Sequence, residues 1–298
     1  MTEPDLLTEF VLLPLSSCWG MPRDALVADD AQQFLATDVG RLDKLERAIL
    51  GCELTMRFQP VMSLKDNHPG GLEGLLTWED PQRGSRPPTP LMGVAERHGL
   101  MPRLIAAQAE QTCGLISRLA PRTSRGNEMF VSMSIAMKYL SDAAVADGVV
   151  AAVLRTGIDP SRLVVELTEV AMLARRPQVR AAAQTLRNAG VRLSLGRFGD
   201  DFSSLTALRD LPVDMLTIDG TFVAGLAPGS DDLAIVSGGV GLAHELGLLC
   251  IADGVGNRDQ VRALASAGCD LGHGPHWGPA ITEAQAEPFL TELSTPVV

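Results

Sequence analysis

The chain holds 298 residues, with 25 Lys and Arg against 36 Asp and Glu, for a formal net charge of −11. That length suits one large domain or two small ones with a substantial core, and 46% hydrophobic against 20% charged residues argues against a disordered chain. The acidic balance, with no Lys/Arg cluster to override it, argues against a nucleic-acid partner, and apolar runs as short as Phe10–Leu13 and Leu246–Ala252 against a membrane span.

Residues 1–42 read as an N-terminal extension. They open on the acidic MTEPDLLTEF, where a secretory signal would open basic, and continue through an apolar FVLLPL to Ser16, Ser17, Gly20 and Pro22 without periodicity. From Asp43 the spacing of LDKLERAIL predicts a lead-in helix, and apolar residues at 54, 56, 58 and 61 predict a strand. Short runs of Val, Ile and Leu then alternate with helical stretches. Strands are expected at 71–78, 129–134, 162–167, 191–198, 213–218, 248–252 and 270–272. Helices are expected at 102–119, 142–156, 176–189, 202–210, 231–246, 257–267 and 283–293, with Gly and Pro between elements in TGIDPSR and NAGVR. This α/β alternation over about 250 residues predicts a TIM-like (β/α)8 barrel across 43–298. The five cysteines (18, 52, 113, 250 and 269) are scattered, odd in number and never form CxxC, which predicts free, mostly buried thiols in a reducing cytoplasm.

A doubly wound sheet would want a GxGxxG turn after its first strand; none is present, and GGVGLAHELG misses the spacing inside a helix. GxxxxGK[ST], GxSxG and HExxH are also missing. In a barrel the chemistry sits at the C-terminal strand ends, which here carry Glu73, Ser132, Glu166, Gly196–Arg197, Thr217, Asp253 and His273. Hydrolysis by two cations needs several converging carboxylates. These three carboxylates stand in separate places, and a cationic Arg197 beside them would oppose bound cations, so no metal or other cofactor is expected.

The run FQPVMSL…GLEGLLTW resembles the opening of an EAL domain, the bacterial module that hydrolyses cyclic di-GMP. VELTE at 165–169, LGRFGDDFSSL at 195–205, LPVDMLTIDGTFV at 211–223, CIADGVGN at 250–257 and AGCDLGHGPHWGPA at 267–280 keep the family's order. The resemblance implies that Glu73 is the metal-binding Glu of a signature altered from Glu-Ala-Leu to Glu73-Gly74-Leu75, and that Glu166 is likewise retained. It also implies several losses: Ser132 for a metal-binding Asn, Gly196 and Arg197 for paired aspartates, and Thr217 for the Lys that assists the attacking water. Asp253 and Gly256 stand for two Glu, His273 for a Gln, Pro275 for a Tyr, and Thr77 for an Arg that meets a substrate phosphate, while Phe198-Gly199 and Ile218-Asp219 survive. Losing the bridging aspartates and the Lys together predicts a degenerate domain without phosphodiesterase activity.

Two functions from different classes follow from this resemblance. One is a regulatory module that binds an unidentified protein partner through residues 1–42 or the loop after Arg197. The other is a metal-independent cyclic di-GMP receptor using Gln59, Glu73, Leu75, Glu166, Asp253 and Arg197 as a bidentate phosphate donor. The interaction module ranks first, and no residue is assigned a catalytic role. Residual phosphodiesterase activity ranks last, since it would need Asp200 or Asp201 as a shifted pair, whose expected place is a solvated loop. Dimerisation through the helix after that loop is common in the family and stays open here. Cys269, His273 and His276 have a zinc-like spacing without a fourth ligand, and Glu166 and Glu169, three apart on a strand, fall on opposite faces. Met56, Met62, Met92, Met101, Met129, Met133 and Met137 read as core filler.

Overall fold

The computed structural model of the chain describes residues 53–119, 129–168, 171–199 and 204–294. Residues 1–42, the lead-in helix, Cys18, Cys52, Glu169, Asp200 and Asp201 lie outside them. The described chain opens with strands β1 (Leu54–Ser63), β2 (Pro69–Asp80) and β3 (Gly84–Arg86), and helices α1 (Thr89–Arg97) and α2 (Met101–Arg118). It continues through β4 (Phe130–Ala136), α3 (Ala143–Thr156), β5 (Leu163–Thr168), α4 (Pro177–Asn188), β6 (Arg192–Phe198) and α5 (Ser204–Asp210). Last come β7 (Met215–Ile218), α6 (Gly220–Ala224), α7 (Asp231–Glu245), β8 (Leu249–Ala252), α8 (Arg258–Ser266), β9 (Leu271–His273) and α9 (Glu283–Ser294).

Eight strands close into a barrel in the order β1, β2, β4, β5, β6, β7, β8, β9 and back to β1, with β3 hairpinned onto the outer end of β2. The pairs from β2–β4 through β8–β9 are parallel, as βα repeats require, whereas β1 runs antiparallel to both β2 and β9. The first strand is thus, in its direction, the one departure from a regular (β/α)8 barrel among the described residues. Every strand that alternation predicted is found, with ends moved by one or two residues. Not anticipated were β3, α1 and α6: β3 has three residues and α6 five, and α1 buries only Leu91, Val94 and Ala95 of its nine, too little for a periodic signal.

Local chemistry starts and stops the helices as expected. Asp142 caps α3 by accepting from Ala144 N, and Gly157 ends it at φ 64°. Ser230 caps α7, and Asn257 with Gln260 forms a capping box on α8. Residues spaced at 104, 105, 109, 112, 113 and 116 turn one face of α2 onto the barrel. The large core lies between barrel and helices and contains Met56, Met101, Met133 and Met137, together with Cys113, Cys250 and Cys269, all three free thiols. A second, smaller cluster of Val61, Phe130, Val164, Met215 and Ile251, with Leu271 packed on it, plugs the barrel interior.

Candidate functional site

Along a strand successive side chains alternate faces, so the residue two steps beyond each plug residue is the next to face the barrel interior. Those steps lead from Phe130 to Ser132, from Val164 to Glu166, from Met215 to Thr217, from Ile251 to Asp253 and from Leu271 to His273. On the antiparallel β1 the same step runs backwards, from Val61 to Gln59, which pairs with Glu73 of β2. The strand register thus builds one polar layer, open toward the C-terminal ends of the parallel strands.

At its centre stands His273, 4% exposed. Its Nδ1 lies 2.9 Å from Glu73 Oε2 and 3.5 Å from Asp253 Oδ1. Both are ion contacts: Nδ1 is fully buried, and its N–H is squarely aligned with neither oxygen. Burial by itself would lower the imidazole's pKa, but Glu73 and Asp253, with Glu166 behind them, outweigh it and push the value up to about 10. The reading of three carboxylates in separate places is corrected here. Glu73 and Asp253 meet on one ring nitrogen, and Glu166 is near enough to feel the charge of both.

Glu166 Oε2 accepts from Thr217 Oγ1 at 2.9 Å, and Thr217 shares a 3.1 Å bond with Ser194 Oγ. Burial, then the Glu73 charge, raises the Glu166 pKa to about 7 against the pull of His273 and Thr217. Burial raises Asp253 to about 6, opposed by His273. A Cβ on Gly196 would fall 2.8 Å from Glu166 Oε1, so this carboxylate lies across space that a side chain at 196 would claim. Gly74 is similarly tight: a Cβ there would meet the Ser132 carbonyl oxygen at 2.6 Å, so an Ala at 74 would require the neighbouring strand to shift.

The raised Glu166 pKa makes a pH prediction. A folded-state value of about 7 against the ordinary 4.5 contributes stability that is full below pH 4.5 and is lost as pH rises through 7. Wild type is therefore expected to lose Tm relative to Glu166→Gln between about pH 5 and pH 8, since Gln keeps the Thr217 bond without titrating. A Tm difference that stays flat across that range would contradict the assignment.

The remaining expected site residues are committed to the protein. Gln59 Nε2 donates to Gly278 O at 3.0 Å, holding the segment after β9, where Phe58 and Ile281 also exchange backbone bonds. Thr77 Oγ1 contacts Leu75 O of its own strand at 3.4 Å. Arg197 occupies a left-handed φ of 57° where the β6–β7 register slips. Its Nε donates to Asp219 Oδ2 at 3.2 Å, and Asp219 caps α6 through Thr221 N and Oγ1. Arg197 thus answers Asp219, while the cation among the strand-end carboxylates is His273. The zinc-like triplet is dispersed: Cys269 Sγ faces the Cys250 and Leu271 carbonyls, and His276 is exposed against Trp277. Among the described residues no three His, Cys, Asp or Glu are gathered to hold a metal ion. The divalent cations implied by the resemblance do not fit this donor set, in which an imidazole holds the meeting point of the carboxylates. None of the described helices is long and apolar enough to cross a membrane.

A closed barrel with a polar layer at its C-terminal strand ends places this protein among the (β/α)8 barrels. The chain belongs to the EAL domain family, whose model matches residues 42–280. It is 30% identical over 230 residues to the bifunctional diguanylate cyclase/cyclic di-GMP phosphodiesterase MucR of Pseudomonas aeruginosa, which is 77% of this chain and 33% of that protein. It is 28% identical over 248 residues to the cyclic di-GMP phosphodiesterase NbdA of the same species, or 83% of this chain and 31% of that protein. The chain thus spans about a third of the length of these curated relatives. Among solved structures, the MucR phosphodiesterase in complex with c-di-GMP superimposes with a TM-score of 0.72 at 29% identity, covering 83% of this chain and 99% of that one. The FimX EAL domain of Pseudomonas aeruginosa bound to c-di-GMP gives 0.72 at 22% identity, covering 85% and 100%.

Proposed function

We propose that this domain is a catalytically silent EAL barrel that serves cyclic di-GMP signalling in the cytoplasm by binding a regulatory protein partner. One observation carries the reading: His273 stands between Glu73 and Asp253 where hydrolysis would require hard cations. Thr217 adds a neutral hydroxyl to that layer and Gly196 adds nothing, so among the described residues neither position supplies a bridging ligand or a charge beside an attacking water. Gln59, Thr77 and Arg197 are engaged with protein groups, which favours a protein partner over the dinucleotide. The proposed contact regions are residues 1–42, ahead of a domain over 43–298, and the loop after Arg197.

A metal-independent cyclic di-GMP receptor is the second reading. It is supported by Glu73 and Leu75, both only partly buried, and by the MucR complex with the same ligand. In that reading Glu166, Asp253, Gln59 and Arg197 complete the pocket, and Arg197 must leave Asp219 to reach a phosphate. Calorimetry with cyclic di-GMP in Mg2+ and in EDTA, alongside an assay for the linear product, separates the readings. No heat and no product are expected. Saturable heat that survives EDTA would move the assignment to the receptor, and product formed with Mg2+ would overturn the proposal.

A further inference from the structure

The Glu73 and Asp253 carboxylates come from β2 and from the end of β8, and they converge on one atom, His273 Nδ1, at 2.9 and 3.5 Å. Metal–oxygen bonds of about 2.0–2.6 Å would need the Glu73 oxygen to close in by less than about 1 Å and the Asp253 oxygen by about 1–1.5 Å, so the ring nitrogen stands near where a shared cation would sit. The ring is almost wholly buried, and it is fixed from both sides in sequence. His273 itself pairs with Val61 of β1, and Gly274 follows, at which a Cβ would lie 2.3 Å from Val255 N. The backbone that carries the imidazole is therefore held in place. Glu166 is held apart by Thr217 and lies over Gly196, which leaves it free to turn inward if the centre is vacated.

We propose that His273, seated where Glu73 and Asp253 converge, is the side chain that closes this site to divalent cations. The inference rests on the metal-free reading above but goes further. It states that one side chain, more than the missing aspartates, keeps a cation out. Glu73, Asp253 and Glu166 with the amide oxygen of a Gln at 273 would offer four hard oxygen donors, enough for one Mn2+ completed by water.

The test uses the full chain, freed of metal with EDTA and dialysed, titrated with Mn2+ alone and followed by the loss of the free-ion EPR signal. Wild type is expected to leave Mn2+ free. His273→Gln is expected to bind one Mn2+ per chain at least ten times more tightly, and Glu73→Gln added to it should abolish that binding. His273→Asn serves as the second variant if the Gln chain does not fold, with thermal unfolding reporting integrity. Wild type binding Mn2+ as tightly as the variants would overturn the inference even without any turnover, as would folded variants that bind none. Turnover by wild type would instead overturn the proposed function, and would leave the difference between wild type and variant to be read on its own.

Discussion

Exchanging Arg162 for Met is expected to lower the free energy of unfolding by about 4 kcal/mol. Arg162 stands at the entry to β5, 9% exposed, after a turn that Asp159 caps through Ser161 N. Its guanidinium spreads over three backbone carbonyls: Nε to Met129 O at 3.1 Å, Nη1 to Ile116 O at 3.0 Å and Nη2 to Leu119 O at 3.2 Å. Two of these belong to the end of α2, whose last carbonyls have no partner within the helix, and the third to the residue before β4. One planar fork therefore ties a helix end and two strand starts together on the side of the barrel away from the polar layer. Met fills the volume but leaves three buried acceptors unanswered, at about 1–3 kcal/mol each before relaxation and water recover part of the loss. Arg162→Lys keeps the charge but not the fork and is expected to fall between the two. Urea unfolding measures both. A loss below about 1 kcal/mol for the Met variant would mean that water already serves those carbonyls.

The barrel was readable because each of its signals is local. Val, Ile and Leu runs such as LVVELT and MLTI lie between helices with apolar spacing, and Asp142, Ser230 and Asn257 announce helix starts. The members of the polar layer were also legible, since counting strand ends found Glu73, Ser132, Glu166, Thr217, Asp253 and His273 in order. What those residues do to one another was not legible. That His273 answers Glu73 and Asp253 depends on β9 lying between β8 and β1, a closure that no local pattern encodes. Arg197 looked like a free cation because Asp219, its partner, is separated from it by the whole of α5 and β7. Gln59 looked like a pocket residue because Gly278 lies near the other end of the chain. Arg162 drew no notice at all: its partners are backbone carbonyls, which every residue has, and only packing selects three of them. Non-local pairing was therefore the missing information, and it bears most heavily on the charged residues.

His273→Leu is expected to cost about 3 kcal/mol at neutral pH, the low end of the roughly 3–5 kcal/mol typical of a fully buried pair, because the Asp253 side chain keeps 31% of its surface in solvent. Leu matches the ring in bulk, so little of that cost comes from a cavity. It comes from leaving Glu73 and Asp253 as neighbouring like charges with no cation between them. Glu73→Leu should cost less, since His273 still has Asp253 at 3.5 Å. The double variant is expected to fall short of the sum by at least about 1 kcal/mol, the coupling of two groups in contact. Urea unfolding of the four proteins closes the cycle. Strict additivity would show that the imidazole carries no stability through Glu73, and His273 would then be a neutral filler of the barrel mouth. A clear coupling would instead make one histidine responsible for two properties at once. On the proposal above, the side chain that steadies this layer of carboxylates would be the one that also holds the place of a cation.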